Sequence, residues 1–534
     1  MSATSLPLIE RRAALPWATT ALSVVITLLA WELLARSLIG TFLLAGPWDV
    51  ATYLHGNAGL IGRALAVTIQ EAAWGFLFGN LAAVALALIA HMLPRTEKLV
   101  SALALLFFCL PLVATGPILR VLYGPGMGPQ ITLAALAVYY TTYLSVMVGL
   151  RAVPSNWVDL VRSYGRGSTT ELVRVRARAA LPYLIGGLQI AAPAAFLGAM
   201  VGEFTGAERG MGVLAIRAMR ELDVQATWTL ACVASAVSMA AYWLFGWIGR
   251  RLSVAPPALI LSSPDPRKTH RTYGLGFLRS LAMLALIAVL VLIAWRGLMD
   301  LFDLSVFFAK RPEDVWRFLV TDPDAATNRT VLFGALGETL VFTLPGYLVG
   351  LMLGAGLAAC IMLLPSLSAT VLPIAIALRS IPIVTTAPLI VLALGRGAAG
   401  MVTIVAIMIF FPTLVACLQG MRQAPAEVLD IFDSYAASRW QRLKLAQVPA
   451  MLPAFFAAAR MAVPAAFLAV TTAEWLGTGT GIGGLMAMTA STSAYGMLWS
   501  GVAALSLLAC AAYVAVEFIE RAVLSRYASE QIVR

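Results

Sequence analysis

Residues 149–182 read GLRAVPSNWVDLVRSYGRGSTTELVRVRARAALP, and residues 420–453 read GMRQAPAEVLDIFDSYAASRWQRLKLAQVPAMLP. The two stretches align without a gap when the chain is shifted by 271 residues. The match continues to residues 212 and 483, with roughly 20 of 64 positions identical. Two arbitrary apolar segments would share far fewer positions. The chain is therefore predicted to contain one unit duplicated and fused head to tail.

The composition places both copies in a membrane. Of the 534 residues, 60% are hydrophobic and only 12% are charged, and the mean hydropathy is +0.88. A water-soluble fold needs a polar exterior that such a chain cannot supply. A helix crosses the bilayer core with about 20 apolar residues. The apolar runs here reach that length and are continuous, whereas strands of a membrane barrel would alternate.

Each half is predicted to contain six spans, so that the fold is an all-α membrane protein with about 12 transmembrane helices in two tandem six-helix repeats. In the first half the spans are placed near residues 17–39, 64–91, 99–123, 129–150, 183–204 and 226–248. In the second half they are placed near residues 276–298, 335–363, 367–394, 400–420, 454–476 and 497–520. The predicted domains are residues 1–248 and 276–534, joined by a polar, proline-containing linker at 249–275.

The distribution of positive charge predicts the orientation of the chain. With the N-terminus inside, the inner segments hold the basic stretch 151–178, the linker and the stretch from Arg422 to Lys444. Cytoplasmic loops carry such an excess of Lys and Arg. We therefore expect both termini on the cytoplasmic side. The net charge of +11 has the same origin, so the expected surroundings are the lipid bilayer and no nucleic-acid partner.

A glycine-rich run at 474–486, EWLGTGTGIGGLM, contains the spacing G-x-G-x-x-G at Gly479, Gly481 and Gly484. The run is expected on the external side, away from ATP, and no strand precedes it as a dinucleotide fold requires. The equivalent first-half run, 206–212, breaks the spacing. We expect these glycines to allow a sharp turn between a spanning helix and a short external helix. The five cysteines have no metal-binding spacing, so no metal site is expected.

The two quoted stretches lie between the fourth and fifth spans of their halves. Each begins like a helix after Pro154 or Pro425, breaks after Tyr164 or Tyr435, and continues as an amphipathic stretch that ends at Leu-Pro. Two short helices joined by an elbow, lying against the membrane, would form a surface for a cytoplasmic partner.

These loops resemble those of the transmembrane subunits of type I ABC importers, the binding-protein-dependent permeases with a MetI-like fold. In that family the loop ends in Leu-Pro and forms the coupling helix that docks on an ATPase subunit. The second half, SYAASRWQRLKLAQVPAMLP, has Ala436 where the family has glycine, and Ser438 in its serine position. The first half keeps Gly165 but has Gly167 at the serine position and Arg178 in place of a proline, so its contact with an ATPase is expected to differ.

The resemblance implies ATPase-coupling residues in both loops. In the first half they are Asp159, Ser163, Tyr164, Gly165 and Gly167. In the second half they are Asp430, Ser434, Tyr435, Ala436, Ser438 and Arg439.

Two further stretches, LRSIPIVTTAPLIVLALG at 378–395 and AEWLGTGTGIGGLM at 473–486, resemble the nitrate, sulfonate, taurine and thiamine-precursor branch. This resemblance implies a permease of the bacterial inner membrane for a small solute that is anionic or contains nitrogen or sulfur. A periplasmic or lipid-anchored binding protein would deliver the solute. Two separate ABC ATPase subunits would bind ATP and Mg²⁺, so this chain is expected to hold no cofactor and to be no enzyme itself.

Six residues are candidates for the translocation path: Arg379, Arg120, Glu203, Glu474, Pro382 and Pro388. An isolated cation such as Arg379 in mid-span costs roughly 2.5–3.5 kcal/mol, and it either lines a path for an anion or pairs with a carboxylate such as Glu338. Arg120 lines the path or extends to the interface. Glu203 and Glu474 form capping or gate contacts. Prolines of the third spans, among them Pro111, are expected to kink the helix toward a cavity.

Other functions remain open. A fused chain of this kind also resembles some ferric-iron and thiamine permeases, which likewise carry both halves. A secondary transporter can be built from a duplicated six-helix unit, although it would not need two matched cytoplasmic loops. A membrane-embedded enzyme or scaffold is the third class, but the sequence offers no clustered His, Cys or carboxylates for catalysis.

Overall fold

A computed structural model describes residues 16–38, 40, 44–153, 155–252, 275–368, 371, 387, 390, 391 and 393–527. Across these ranges the secondary structure is helical, without a β-strand. Arg379, Pro382 and Pro388 lie outside the described residues, as does most of the expected linker.

The first half contains eleven α-helices among the described residues. They are α1 (Pro16–Ser37), α2 (Pro47–Gly56), α3 (Ala58–Met92), α4 (Glu97–Phe108), α5 (Leu112–Tyr123), α6 (Gly128–Arg151), α7 (Ser155–Ser163), α8 (Ser168–Glu171), α9 (Ala177–Phe204), α10 (Met211–Arg220) and α11 (Val224–Arg251). A π-helical turn, Leu172–Arg176, joins α8 to α9.

The second half repeats this order in its described parts, which leave out most of 368–394, the positions equivalent to α4 and α5. Its helices are α12 (Leu275–Leu301), α13 (Pro312–Trp316), α14 (Ala325–Leu363), α15 (Ala398–Arg422), α16 (Ala426–Ser434), α17 (Arg439–Arg442), α18 (Val448–Ala473), α19 (Gly481–Ser491) and α20 (Tyr495–Tyr527). The π-helical turns Arg317–Thr321, Leu443–Gln447 and Glu474–Thr478 follow α13, α17 and α18.

The predicted spans agree with these helices. Within the described ranges, eight helices are long and apolar enough to cross a membrane, and α4 with α5 makes a ninth span if the bent pair is counted as one. The predicted spans at 17–39 and 276–298 correspond to α1 and α12. The predicted span at 367–394 lies mostly outside the described residues. The prediction of an all-α membrane protein built from two tandem repeats is confirmed.

The third span of the first half is sharply bent. Helices α4 and α5 meet at 93°, and the break falls at Pro111, whose backbone is extended and caps the start of α5. Proline lacks the N–H that would continue the α4 ladder. The kink predicted for this span is therefore confirmed, while the corresponding prolines of the second half lie outside the described residues.

Each loop has a first arm, which is α7 or α16, and a second arm, which begins with α8 or α17. The second arm does not end at the Leu-Pro pair, so that part of the prediction is wrong. The chain forms one continuous helix from Ser168 to Phe204, and another from Arg439 to Thr478. Pro182 lies inside the first of these helices, with its equivalent inside the second. Ending a helix within apolar surroundings would leave several backbone groups without partners, which costs more than the single bond that proline removes.

Small residues let the fourth and fifth spans approach closely where the loops begin. A Cβ atom added at Gly149 would lie 2.8 Å from the Ala180 Cα, and one added at Gly420 would lie 2.8 Å from the Met451 Cα. These are equivalent positions in the two halves. The glycine that opens each quoted stretch therefore sets the distance between the two spans from which the loop emerges.

Candidate functional site

Each loop contains an elbow: elbow 1 comprises residues 155–171 and elbow 2 comprises residues 426–442. Both elbows turn at a residue with left-handed backbone, Gly165 with φ +65° and Ala436 with φ +50°. In elbow 2 the Ala437 N–H donates to the Phe432 carbonyl at 2.9 Å, and the equivalent bond in elbow 1 is 3.3 Å long. This is the hydrogen-bond pattern that ends helices at glycine. The turn geometry thus explains the family's preference for glycine.

Ser438 caps the second arm of elbow 2. Its hydroxyl accepts the Gln441 N–H at 3.3 Å, and the Gln441 side chain accepts the Ser438 N–H at 2.8 Å. This reciprocal capping box holds the start of a helix. Gly167 stands at the same place in elbow 1 and makes no side-chain cap. The second arm of elbow 1 therefore lacks the N-terminal capping box that Ser438 and Gln441 form in elbow 2.

An ion pair joins the two arms of each elbow, and its charges are reversed between the halves. In elbow 1 an Arg162 nitrogen lies 3.5 Å from a Glu171 oxygen. In elbow 2 the same two positions carry Asp433 and Arg442, which are also paired. Glu171 further accepts a hydrogen bond from Arg176 at 2.6 Å. Both elbows therefore have an ion pair between their arms, although the residues at both positions differ between the halves.

The elbows present large side chains without packing partners. Tyr164 is 76% exposed and Tyr435 is 83% exposed, and Trp157, Leu160 and Ile431 are also exposed. The remaining predicted coupling side chains lie on the same exposed surfaces: Asp159, Ser163, Asp430, Ser434 and Arg439. Exposed apolar patches of this kind mark protein–protein or membrane contacts.

We call the side that holds the C-terminal ends of α9 and α18 the far side of the molecule. On this side each half has a buried glutamate that accepts hydrogen bonds from neighbouring segments. The Glu203 carboxylate accepts the Thr68 hydroxyl at 2.6 Å and the Gly212 N–H. The Thr68 hydroxyl oxygen in turn accepts the Met211 N–H at 2.8 Å. Glu203 thereby fixes the first turn of α10 against the end of its own span.

Glu474 makes the same contacts in the second half. Its carboxylate accepts the Thr339 hydroxyl and the Gly483 N–H, both at 2.8 Å, and the Thr339 oxygen accepts the Ile482 N–H at 2.9 Å. Every partner is shifted by 271 residues relative to the first half. The capping contacts expected of the two glutamates are present. Their part in a translocation path stays a prediction.

The glycine-rich run is a turn. Gly479 and Gly481 have φ +72° and φ +66°, and they connect the π-helical end of the fifth span to α19. The Gly481 N–H donates to a Glu338 oxygen at 3.0 Å. The structural role predicted for these glycines is confirmed. The expected pairing of Glu338 with Arg379 involves a residue outside the described part of the chain.

Glu71 is a site residue that the sequence does not point to, because its run EAAWG resembles the coupling-loop motif but lies inside a span, α3. Glu71 is buried against Glu203, and its Oε2 atom has no hydrogen-bond partner among the described residues. The equivalent position is Phe342. At this position the first half therefore has a buried carboxyl group where the second half has an aromatic side chain.

A second omission is the ion pair between Arg460 and Glu520. Both side chains are buried, with 2.8 Å between nitrogen and oxygen. The guanidinium also lies over the Tyr513 ring, 5.9 Å from its centroid. The pair holds the fifth span of the second half to α20. Gln189 at the equivalent first-half position cannot form it.

Arg120 lies near the far-side end of α5 and is half-buried. A Cβ atom added at Gly206 would lie 3.1 Å from the Arg120 Cδ. The equivalent pair in the second half is Val391 and Gly477, where the corresponding distance is 3.3 Å. The two positions have the same packing role, and only one carries a charge. Whether Arg120 belongs to a solute path stays a prediction.

A cavity of about 630 Å³ opens at the far side between the halves. Phe204 and Trp475, which occupy equivalent positions, both line it. Val391 and Gly477 belong to the same wall, so the position equivalent to Arg120 is part of the lining. A volume of this size is typical of small-molecule sites.

The family model described as "Binding-protein-dependent transport system inner membrane component" matches this chain twice, at residues 59–254 and 346–528. The chain belongs to this family. Two matches in one chain confirm the duplication and the MetI-like fold. They also favour a permease over the secondary transporter and the membrane enzyme left open above.

Individual members of the family are similar to parts of this permease. A probable ABC transporter permease protein of Haemophilus influenzae is 28% identical over 229 residues, which is 42% of this chain and 93% of that protein. The formylaminopyrimidine transport permease protein ThiX of Halalkalibacterium halodurans is 29% identical over 195 residues, 35% of this chain and 75% of ThiX. The putative aliphatic sulfonates transport permease protein SsuC of Bacillus subtilis is 26% identical over 150 residues, 28% of this chain and 54% of SsuC.

This permease is a transmembrane component of an ABC importer. Nearly the whole H. influenzae relative aligns with less than half of the chain, so one half of this permease corresponds to that protein. Its relatives are transport permeases and not enzymes.

Proposed function

We propose that this permease supplies both halves of the membrane pathway itself, and that two separate ABC ATPase subunits dock on elbow 1 and elbow 2 from the cytoplasm. In this proposal both termini are cytoplasmic, in a bacterial inner membrane. The far side faces a periplasmic or lipid-anchored binding protein that delivers a small solute. ATP and Mg²⁺ bind to the ATPase subunits.

One observation carries the proposal. The second arm of each elbow is continuous with a helix that runs to the cavity wall, from Ser168 to Phe204 and from Arg439 to Thr478. The first of these helices has 37 residues, so it is about 55 Å long at 1.5 Å per residue. A stiff helix of this kind transmits a displacement of the elbow to the aromatic side chains at the other end of the molecule. The two equivalent helices match a pair of ATPase subunits, one at each elbow.

Charge and exposure support elbow 2 as a docking surface. The first arm of elbow 2 carries Glu427, Asp430 and Asp433 without a basic residue, whereas the first arm of elbow 1 carries Asp159 and Arg162. Tyr435 and Ile431 stand exposed beside these carboxylates. A groove with basic rims and an apolar floor would be complementary to elbow 2. The two docking contacts are therefore expected to differ in charge.

The solute is expected to be anionic or to contain nitrogen or sulfur. Two of the relatives described above are a formylaminopyrimidine transport permease and a putative aliphatic sulfonates transport permease. Both are small organic molecules of the size that a cavity of about 630 Å³ can take.

The proposal is tested with the double variant Tyr435→Ala/Arg439→Ala in the complex of the full chain with its ATPase subunits. Both side chains are exposed, so the fold should persist while solute-stimulated ATP hydrolysis and uptake fall at least about tenfold, the equivalent of 1.4 kcal/mol of coupling. A matched control is Arg526→Ala/Tyr527→Ala, which removes an exposed Arg–Tyr pair at the end of α20, outside the elbows. Unchanged hydrolysis and uptake in the first variant would contradict the role of the elbow.

A second measurement addresses the class of transporter. The chain alone, reconstituted in liposomes with a proton or sodium gradient, should move no solute until ATPase subunits and ATP are added. Gradient-driven uptake by the chain alone would contradict the proposal.

A further inference from the structure

Two arginines line the cavity between the halves, Arg220 from the first half and Arg396 from the second. Among the described residues of its wall there is no Asp or Glu to neutralise them. Neither arginine forms an ion pair or a hydrogen bond with another described residue. Both are exposed. Two guanidinium groups therefore face one solvent-filled space with their donors free.

The acidic residues closest in sequence already have other partners. Glu221 forms an ion pair with Arg217 at 2.9 Å, and this hydrogen bond raises the pKa of Arg217. The Asp223 carboxylate accepts the Ala226 N–H at 2.9 Å and caps α11. Neither carboxylate forms an ion pair with Arg220.

The duplication of the chain does not account for the positions of Arg220 and Arg396. The residue equivalent to Arg220 is Ser491, and the residue equivalent to Arg396 is Pro125. Each half thus contributes one cation from a different position, and both cations reach the same cavity. A packing role inherited with the duplicated unit would have placed similar residues at equivalent positions, as it did for Phe204 and Trp475.

The other described side chains of the lining are mostly apolar or aromatic, among them Phe204, Ile216, Met219, Leu222, Trp475 and Leu476. Among these described wall residues a hydroxyl occurs at Thr227, which donates to the Asp223 carbonyl at 2.8 Å and so has its donor in use. The cavity therefore offers charge-assisted donors at the arginines and apolar surface elsewhere. Guanidinium groups match the oxygen geometry of carboxylates, sulfonates and phosphates.

We propose that this cavity is a binding site for a small organic anion, with its acidic group at Arg220 and Arg396 and its apolar body against Phe204 and Trp475. The solute class named here rests on the proposed function, because it assigns the transported solute to this site. Binding itself requires neither ATP nor a second protein.

The test uses the purified full chain in lipid nanodiscs and isothermal titration calorimetry with benzenesulfonate, its neutral analogue benzenesulfonamide, and inorganic sulfate. We expect benzenesulfonate to bind at least about tenfold more tightly than either of the others. Arg220→Gln/Arg396→Gln should weaken benzenesulfonate binding at least about tenfold and leave benzenesulfonamide unaffected. The matched control Arg217→Gln, one turn from the cavity and already paired with Glu221, should bind like the unaltered chain.

A second readout needs no variant. Phenylglyoxal should modify Arg220 and Arg396 more slowly when benzenesulfonate is present, with Arg217 as the internal reference in peptide mass spectrometry. The proposal is overturned if benzenesulfonate does not bind, if it binds no better than benzenesulfonamide, or if it fails to protect the two arginines. Failure to recover an ATPase partner would instead overturn the proposed function and leave these binding results standing.

Discussion

Asp433 and Arg442 form an ion pair across elbow 2 at the two positions where elbow 1 pairs Arg162 with Glu171. The basic residue lies on the first arm in elbow 1 and on the second arm in elbow 2, and the acidic residue lies on the opposite arm in each case. Each elbow therefore keeps its two arms together, but each presents a different charge pattern to a docking partner. An exposed pair of this kind contributes at most about 1 kcal/mol.

Asp433→Arg should loosen elbow 2, because it places a second cation beside Arg442. A change of about 1 kcal/mol corresponds to roughly a fivefold increase in the opened population. Limited proteolysis of the permease in detergent measures this as faster cleavage within residues 426–442. The double variant Asp433→Arg/Arg442→Glu, which reproduces the order of elbow 1, should restore slow cleavage. Equal cleavage of all three proteins would show that the pair does not hold the arms.

Ala436→Gly should stabilise elbow 2. A non-glycine residue in left-handed backbone costs roughly 1–2 kcal/mol, and Ala436 has φ +50°. Slower proteolysis of elbow 2 measures the gain. Gly165→Ala is the matched experiment in elbow 1, where cleavage should accelerate because Gly165 has φ +65°. Proteolysis should become slower with Ala436→Gly and faster with Gly165→Ala. A change in the same direction for both variants would contradict the strain argument.

Labelling tests the orientation of the permease. In a background whose five cysteines are replaced by alanine, Ser438→Cys marks elbow 2 and Thr480→Cys marks the far-side turn, and both positions are exposed. A membrane-impermeant maleimide added to intact cells should label Thr480→Cys at once, and Ser438→Cys only after lysis. The reverse pattern would place the elbows in the periplasm and remove the basis for ATPase docking.

Thr339→Val should destabilise the far side of the second half by about 1–3 kcal/mol, the usual cost of leaving buried polar groups without partners. It removes the acceptor of the Ile482 N–H and a donor to Glu474. Thermal unfolding in detergent measures the loss. The matched control is Thr343→Val, one turn along α14, where the buried hydroxyl donates to the Thr339 carbonyl of its own helix and has no other partner in the described part of the chain. Equal effects of both variants would argue against a special role of the Glu474 network.

The ion pair of each elbow can be predicted from the sequence alone, whereas the Arg460–Glu520 pair cannot. The alignment of the halves places Arg162 opposite Asp433 and Glu171 opposite Arg442. Two opposite charges that change together indicate a contact, so the two elbow pairs could have been predicted from the repeat. The pairing of Arg460 with Glu520, by contrast, could not be predicted, because Glu520 lies 60 positions further along the chain on another helix, where no periodicity connects the two residues.

The sequence by itself determined the duplication, most spans, the kink at Pro111 and the turn of each elbow. These depend on residues close together in the chain, whose spacing, proline content and glycine content constrain the backbone directly. The tertiary structure alone decided that Thr68 holds Glu203 across 135 residues, that Pro182 does not end its helix, and that Arg220 and Arg396 share one cavity. Such contacts depend on how helices far apart in the chain pack in three dimensions, and local patterns carry no information about that.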